Sequence, residues 1–101
     1  MSIKCVDDIH DAIKHIQRYG SGHTDAIISE SDVNINKFIE NVDSAAVMIN
    51  ASTQFNDGGE FGMGAEVAVS TNKYGARGPM GLKDLCSYKW ILKGNGNIRI
   101  R

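Results

Sequence analysis

Five consecutive apolar residues, Ala45-Ala46-Val47-Met48-Ile49, constrain this chain more than any other feature. A run without polar alternation does not suit a strand with one wet face. It reads as a strand covered on both faces, as in parallel sheets enclosed by helices. The run stops at Asn50, and the segment from there to Gly81 holds seven of the eleven glycines. Open α/β sheets bind ligands beyond the carboxyl ends of their parallel strands. Long structureless segments in compact domains are usually functional or disordered. Residues 50–81 are therefore the first place to look for a binding site.

The chain before that strand is periodic. Ile3-Lys4-Cys5-Val6 reads as a short strand, and Asp7 or Asp8 as the cap of a helix, because a carboxylate there accepts from free N–H groups of the first turn. Ile9, Ala12, Ile13 and Ile16 recur at helical spacing, and Gly20 suits a left-handed residue closing that helix. Ala26-Ile27-Ile28 is the next strand. Ser29 or Ser31 caps a second helix carrying Ile35, Phe38, Ile39 and Val42 on one face. The order β-α-β-α-β predicts an α/β fold, a three-layer unit built on a parallel sheet. Beyond the glycines, Leu82–Ser87 reads as a helical turn, and Tyr88–Leu92 and Ile98–Arg101 as strands, the last alternating apolar and basic as an edge strand does. The expected division is 1–81 for the βαβαβ unit with its glycine-rich segment and 82–101 for the helical turn and final strands.

Size and charge narrow the possibilities. At 101 residues the chain is one domain or a piece of one. A chain of this length ordinarily buries roughly 60–65% of its unfolded surface. Two helices are too few to cover both faces of a parallel sheet, so the pattern resembles the closing part of something larger. No apolar run approaches the ~20 residues of a membrane span, and the N-terminus lacks the apolar stretch of a secretory signal. Cys5 and Cys86 have neither metal-binding nor redox spacing, which suits two reduced thiols and a cytoplasmic protein. Residues 1–66 carry eleven acidic and four basic side chains, whereas 67–101 carry seven basic and one acidic. The basic residues are singly spaced with little aromatic interleaving, which argues against nucleic acid and fits an acidic substrate, an acidic partner surface or plain solubility.

Asn50, Ser52 and Thr53 stand where the apolar strand ends, placed to bond a polar substrate or to cap the strand end. Gly58 and Gly59 open a run in which backbone N–H groups can approach a substrate without an intervening Cβ. Phe55 and Phe61 either wall such a pocket or anchor the segment to the core. Gly62-Met63-Gly64-Ala65-Glu66-Val67 superficially matches a dinucleotide fingerprint, but that motif needs a strand directly before it and a helix opening within it. His10 and His15 are off the spacing of paired metal ligands, and His23 lies in a turn entering a strand. There is no Ser-His-Asp arrangement, carboxylate pair or phosphate-binding loop, so no catalytic residue and no metal ligand is assigned.

Several segments together resemble the γ-glutamyl phosphate reductases (glutamate-5-semialdehyde dehydrogenases) of the aldehyde dehydrogenase superfamily. They are Val6 through Ile27 with Tyr19-Gly20-Ser21-Gly22-His23-Thr24-Asp25, then Val47 through Phe55 leading into Asp57–Thr71, and Ala76–Leu82 with Tyr88-Lys89-Trp90. The resemblance implies the C-terminal part of the catalytic domain plus oligomerisation-type strands. It implies an enzyme that reduces γ-glutamyl phosphate to glutamate 5-semialdehyde with NADPH in proline biosynthesis, through a cysteine thiolate that displaces phosphate. Neither Cys5 nor Cys86 matches that cysteine's motif, and the cofactor domain has no counterpart here, so the chain alone is expected to be inactive. Its implied share is one wall of the substrate site, Asn50 through Gly64, and homo-oligomer contacts through Tyr88–Ile100. The competing readings are a free-standing module that adds its last strands to another sheet edge, and a small nucleotide binder.

Overall fold

The computed structural model describes residues 1–100. Its ordered heart is a β-α-β unit preceded by a helix: α1 (Ile9–Tyr19), β1 (Thr24–Ile27), α2 (Asp32–Asn41) and β2 (Ala46–Ile49). The Asp8 side chain caps α1 by accepting from the Asp11 N–H at 2.9 Å. Ser31, not Ser29, caps α2, accepting from Asn34 N–H at 3.3 Å. The strands are parallel, with Thr24 opposite Ala46 and Ile27 opposite Ile49. Strand alternation puts Ile27 and Val47 on one face, where they meet Ile9, Ile13 and Ile16 of α1 and Phe38 and Val42 at the end of α2. Both helices cover that same face.

Four expectations are corrected here. Residues 1–6 form no strand and are exposed, so the parallel sheet has two strands and the order is α-β-α-β. With both helices on one face, the unit has two layers and not three. Met48 is buried on the other face, but Ile49 is 39% exposed, so β2 is not covered throughout. Gly20 has φ −71°, outside the left-handed region. Its role is space: a Cβ there would come within 2.5 Å of the Ile16 carbonyl oxygen, which accepts the Gly20 N–H.

The glycine-rich segment is not structureless. It holds a 3-10 turn at Thr53–Phe55, a tight turn through residues 58–62, and an antiparallel pair of β3 (Ala68–Ser70) with β4 (Gly78–Met80). Leu82–Leu85 forms the expected helical turn, also 3-10. Tyr88–Leu92 and Ile98–Ile100 pair with nothing among the described residues and form no strands, and Arg101 lies outside them. Trp90 is 92% and Leu92 93% exposed.

The molecule is accordingly open. A globule of this size has a radius of gyration near about 13 Å. The chain measures 20.1 Å, with extents of 70 × 36 × 24 Å. Its accessible surface is 8605 Å², where a free-standing globule of its mass exposes about 5600 Å². A little under half of the unfolded surface is buried, roughly 46%, short of the expected share.

Candidate functional site

The two strands end side by side, and Asn50 joins the ends. Its backbone N–H continues the ladder to the Ile27 carbonyl at 2.8 Å. Its side-chain oxygen accepts from the Ser29 N–H at 2.8 Å, and its side-chain nitrogen donates to the Ser29 carbonyl at 3.0 Å. The amide thus adds one more rung to a sheet whose backbone has already turned away. That requires φ of +51°, a left-handed conformation that asparagine tolerates better than most residues.

From Asn50 the chain crosses the sheet face opposite the helices. Ser52 caps the 3-10 turn, accepting from Gln54 N–H at 3.2 Å, and Thr53 is exposed on that turn. The crossing ends where Asn56 Nδ2 donates to Thr24 Oγ1 at 2.6 Å, at the amino end of β1. On the far side of Thr24 Oγ1 stands His23 Nδ1, also at 2.6 Å. The Thr24 hydroxyl has a proton and two lone pairs, enough to serve both neighbours, and which of Thr24 Oγ1 and His23 Nδ1 donates is set by the imidazole tautomer.

The tight turn follows. Asp57 Oδ1 accepts from Gly59 N–H at 2.9 Å, and its carbonyl accepts from Phe61 N–H at 3.0 Å. The Gly58 carbonyl accepts from Met63 N–H at 2.8 Å. Gly58 is buried, and a Cβ on it would lie 2.9 Å from Glu66 Cβ. Gly59 and Phe61 are exposed, the latter at 55%. The turn brings Glu60 back to Ser52, Gln54 and Phe55, and these four line a cleft of about 220 Å³.

A second attachment holds the β3–β4 pair. Asp43, just before β2, accepts from Lys73 Nζ at 2.6 Å and Arg77 Nη1 at 2.9 Å, and its carbonyl accepts from Arg77 Nη2 at 2.8 Å. The Lys73 and then the Arg77 hydrogen bonds hold the Asp43 carboxyl below the ordinary carboxylate range. The Gly78 backbone packs toward the Ala45 carbonyl oxygen, 3.6 Å from where a Cβ would lie. Two of the basic residues of the C-terminal third are thereby engaged within the chain.

Of the six sequence candidates, the structure brings Ser52 to one cleft with Glu60, which lies between Gly59 and Phe61. Thr53 is next to that cleft. Asn50 is occupied with Ser29, and Gly58 serves close packing against Glu66. Sequence reasoning passed over Glu60, although it is the one charged residue between Gly59 and Gly62, and it passed over the Thr24–Asn56 pair, whose partners are 32 positions apart.

The cleft offers a hydroxyl, an amide, a carboxylate and an aromatic wall, groups that bind and orient. Both cysteines are free and exposed. Cys86 Sγ reaches the Leu82 carbonyl at 3.6 Å. Cys5 lies along a separate open cleft with Lys14, His15 and Arg18, and no hydrogen bond joins it to His15. Residues 62–67 lead into β3, so no helix N-terminus is present there to receive a dinucleotide pyrophosphate. Residues 62–67 do not fit the pyrophosphate of NADPH. No group of three or more His, Cys, Asp and Glu able to hold a metal ion occurs among the described residues, and no helix there is long and apolar enough to cross a membrane.

No protein-family model matches the chain. Among curated proteins, the γ-glutamyl phosphate reductase of Nautilia profundicola is 60% identical over 99 residues, covering 98% of this chain and 24% of the relative. That of Dehalococcoides mccartyi is 55% identical over 98 residues, covering 97% and 23%. The crystal structure of γ-glutamyl phosphate reductase from Thermotoga maritima superposes with a TM-score of 0.82 at 46% identity, over 93% of this chain and 23% of that one. The chain spans about a quarter of the length of the curated relatives it matches.

Proposed function

We propose that this chain, which belongs by sequence and fold with the γ-glutamyl phosphate reductases as a counterpart of about a quarter of their length, supplies part of the substrate site and of the assembly surface of such an enzyme. The observation that carries this reading is the incompleteness of the fold. A two-stranded parallel sheet helixed on one face, with about 3000 Å² more surface than a free-standing globule exposes, is built to be covered by further protein.

In this reading the residues Asn50, Ser52, Thr53, Gly58, Gly59 and Phe61 form one wall of the chamber for γ-glutamyl phosphate. The hydroxyl and amide groups of Ser52, Thr53 and Gln54 bond the polar substrate. Glu60 has the sign to hold the α-ammonium of its glutamyl part. Gly58 and Asn50 set the backbone path. The nucleophilic thiolate and the NADPH site belong to the remainder of a reductase, the C-terminal position of this segment follows the resemblance, and the enzyme is a cytoplasmic one of proline biosynthesis. Tyr88–Ile100 supplies subunit contacts. Its Tyr88 and Trp90 rings meet edge to face at 6.1 Å, as residues two apart do on one side of an extended strand. The same exposure supports a second reading, an interaction module that adds a strand to another sheet without catalysis.

The test is kinetic. The matching quarter of the Thermotoga maritima reductase is replaced by this chain, and the hybrid is assayed with glutamate 5-semialdehyde, phosphate and NADP⁺. Ser52→Ala and Glu60→Gln are each expected to raise KM for the semialdehyde about fivefold, the worth of one ordinary hydrogen bond. Unchanged KM in both variants would remove these residues from the substrate site.

A further inference from the structure

Residues 51–66, which carry the cleft and the tight turn, make a single hydrogen bond to the β-α-β unit of residues 1–50 among the described residues, and it is Asn56 Nδ2 to Thr24 Oγ1. Every other hydrogen bond of that stretch among the described residues is internal, and Val67, the next residue, donates to the Met80 carbonyl of β4 at 2.8 Å. The β3–β4 pair makes its own attachment through Asp43 and Arg77. Both staples lie at the amino ends of the strands, and the segment crosses the sheet between Asn50 and the first of them. Thr24 is therefore the point at which the turn segment itself is tied to the sheet.

We propose that Thr24 is a positioning residue of the substrate site: it fixes the glycine-rich turn through Asn56 and is itself oriented by His23. This rests on the reading of residues 52–64 as part of the site. Thr24 is suited to the task because its backbone belongs to β1 while its side chain points to the face away from the helices. One hydroxyl accepts from Asn56 and also hydrogen-bonds His23 Nδ1, so two partners hold its rotor. Asn56 in turn stands directly before Asp57, whose carbonyl and carboxylate organise the turn through Phe61 and Gly59. A displacement at Asn56 is passed to Glu60 within a few bonds.

The experiment has two readouts. Amide hydrogen exchange is followed by NMR in this chain for Phe61, Gly62 and Met63, with the ladder amides of Ala45 and Asn50 as internal reference. Thr24→Val keeps the shape and the ladder but removes the hydroxyl. It is expected to speed exchange at the three turn amides about fivefold and leave the reference amides within twofold, with Thr24→Ser restoring the original rates. In the hybrid reductase, Thr24→Val is expected to raise KM for the semialdehyde by a similar factor while kcat stays within twofold, again with rescue by Thr24→Ser. Turn amides that exchange alike in the unsubstituted chain and Thr24→Val, or at free-peptide rates in both, would overturn the proposal. Faster exchange with unchanged KM would leave the staple standing and overturn its link to substrate.

Discussion

Asn50 shows how one residue can carry an element boundary. It spends its whole amide on Ser29 and adopts φ +51° to do so. Asn50→Ala removes two hydrogen bonds and keeps a left-handed backbone that alanine resists, a loss of about 2 kcal/mol by urea denaturation. Asn50→Gly loses the bonds but relaxes the backbone, and is expected to recover about half of that. Equal stability of both variants with the parent would show the rung to be idle. Gly20→Ala is expected to cost about 2 kcal/mol, because its Cβ meets a backbone oxygen at 2.5 Å that cannot yield without moving α1. The sequence exposed the Gly20 position as special but suggested the wrong cause. Caps such as Asp8 and Ser31 were legible because their chemistry is completed within three residues.

At the scale of elements, legibility followed the range of the interactions. The helices declared themselves through Ile9, Ile13 and Ile16 and through Phe38 and Val42, all of which face the core. The strand expected at Ala26–Ile28 runs from Thr24 to Ile27 and leaves Ile28 88% exposed, whereas the strand of 46–49 declared itself through its apolar run. The β3–β4 pair did not, because three-residue strands, one of them containing Pro79, carry no periodic signal and take their register from a partner ten residues away. Tyr88–Leu92 has strand composition without a partner among the described residues, and composition does not pair a strand. The candidate site divides likewise: Ser52 and Glu60 meet through a turn whose glycines were visible, whereas Thr24–Asn56 is a tertiary contact invisible to local pattern. The β3–β4 pair is also where pH acts. Its anchor Asp43 has a lowered carboxyl pKa, so the carboxylate part of the anchor is fully made above the usual carboxylate pKa of about 4 and is lost as pH falls through the lowered value, while the Arg77 bond to the Asp43 carbonyl does not titrate. NMR titration of the Asp43 carboxyl is expected to show that low midpoint, with the Gly78 amide following it. Lys73→Met with Arg77→Met is expected to return Asp43 to the ordinary range; an ordinary midpoint in the unsubstituted chain would dissolve the anchor.

At the scale of the whole molecule, shape is the strongest evidence. A radius of gyration of 20.1 Å and a tail that exposes Tyr88, Trp90, Leu92, Ile98 and Ile100 describe a chain that leaves much apolar surface open. The cleft at Ser52 and Glu60 holds no thiol, and residues 62–67 offer no helix N-terminus to seat NADPH. The chain by itself is therefore expected to produce no NADPH absorbance from glutamate 5-semialdehyde, phosphate and NADP⁺, and clear turnover would contradict the assignment of chemistry to other parts of a reductase. The measurement that tests the account most directly is the turnover of the Thermotoga maritima reductase after its matching quarter is exchanged for this chain. The account expects a folded hybrid that forms NADPH from the semialdehyde only when phosphate is present; a folded and assembled hybrid with no such activity would contradict it.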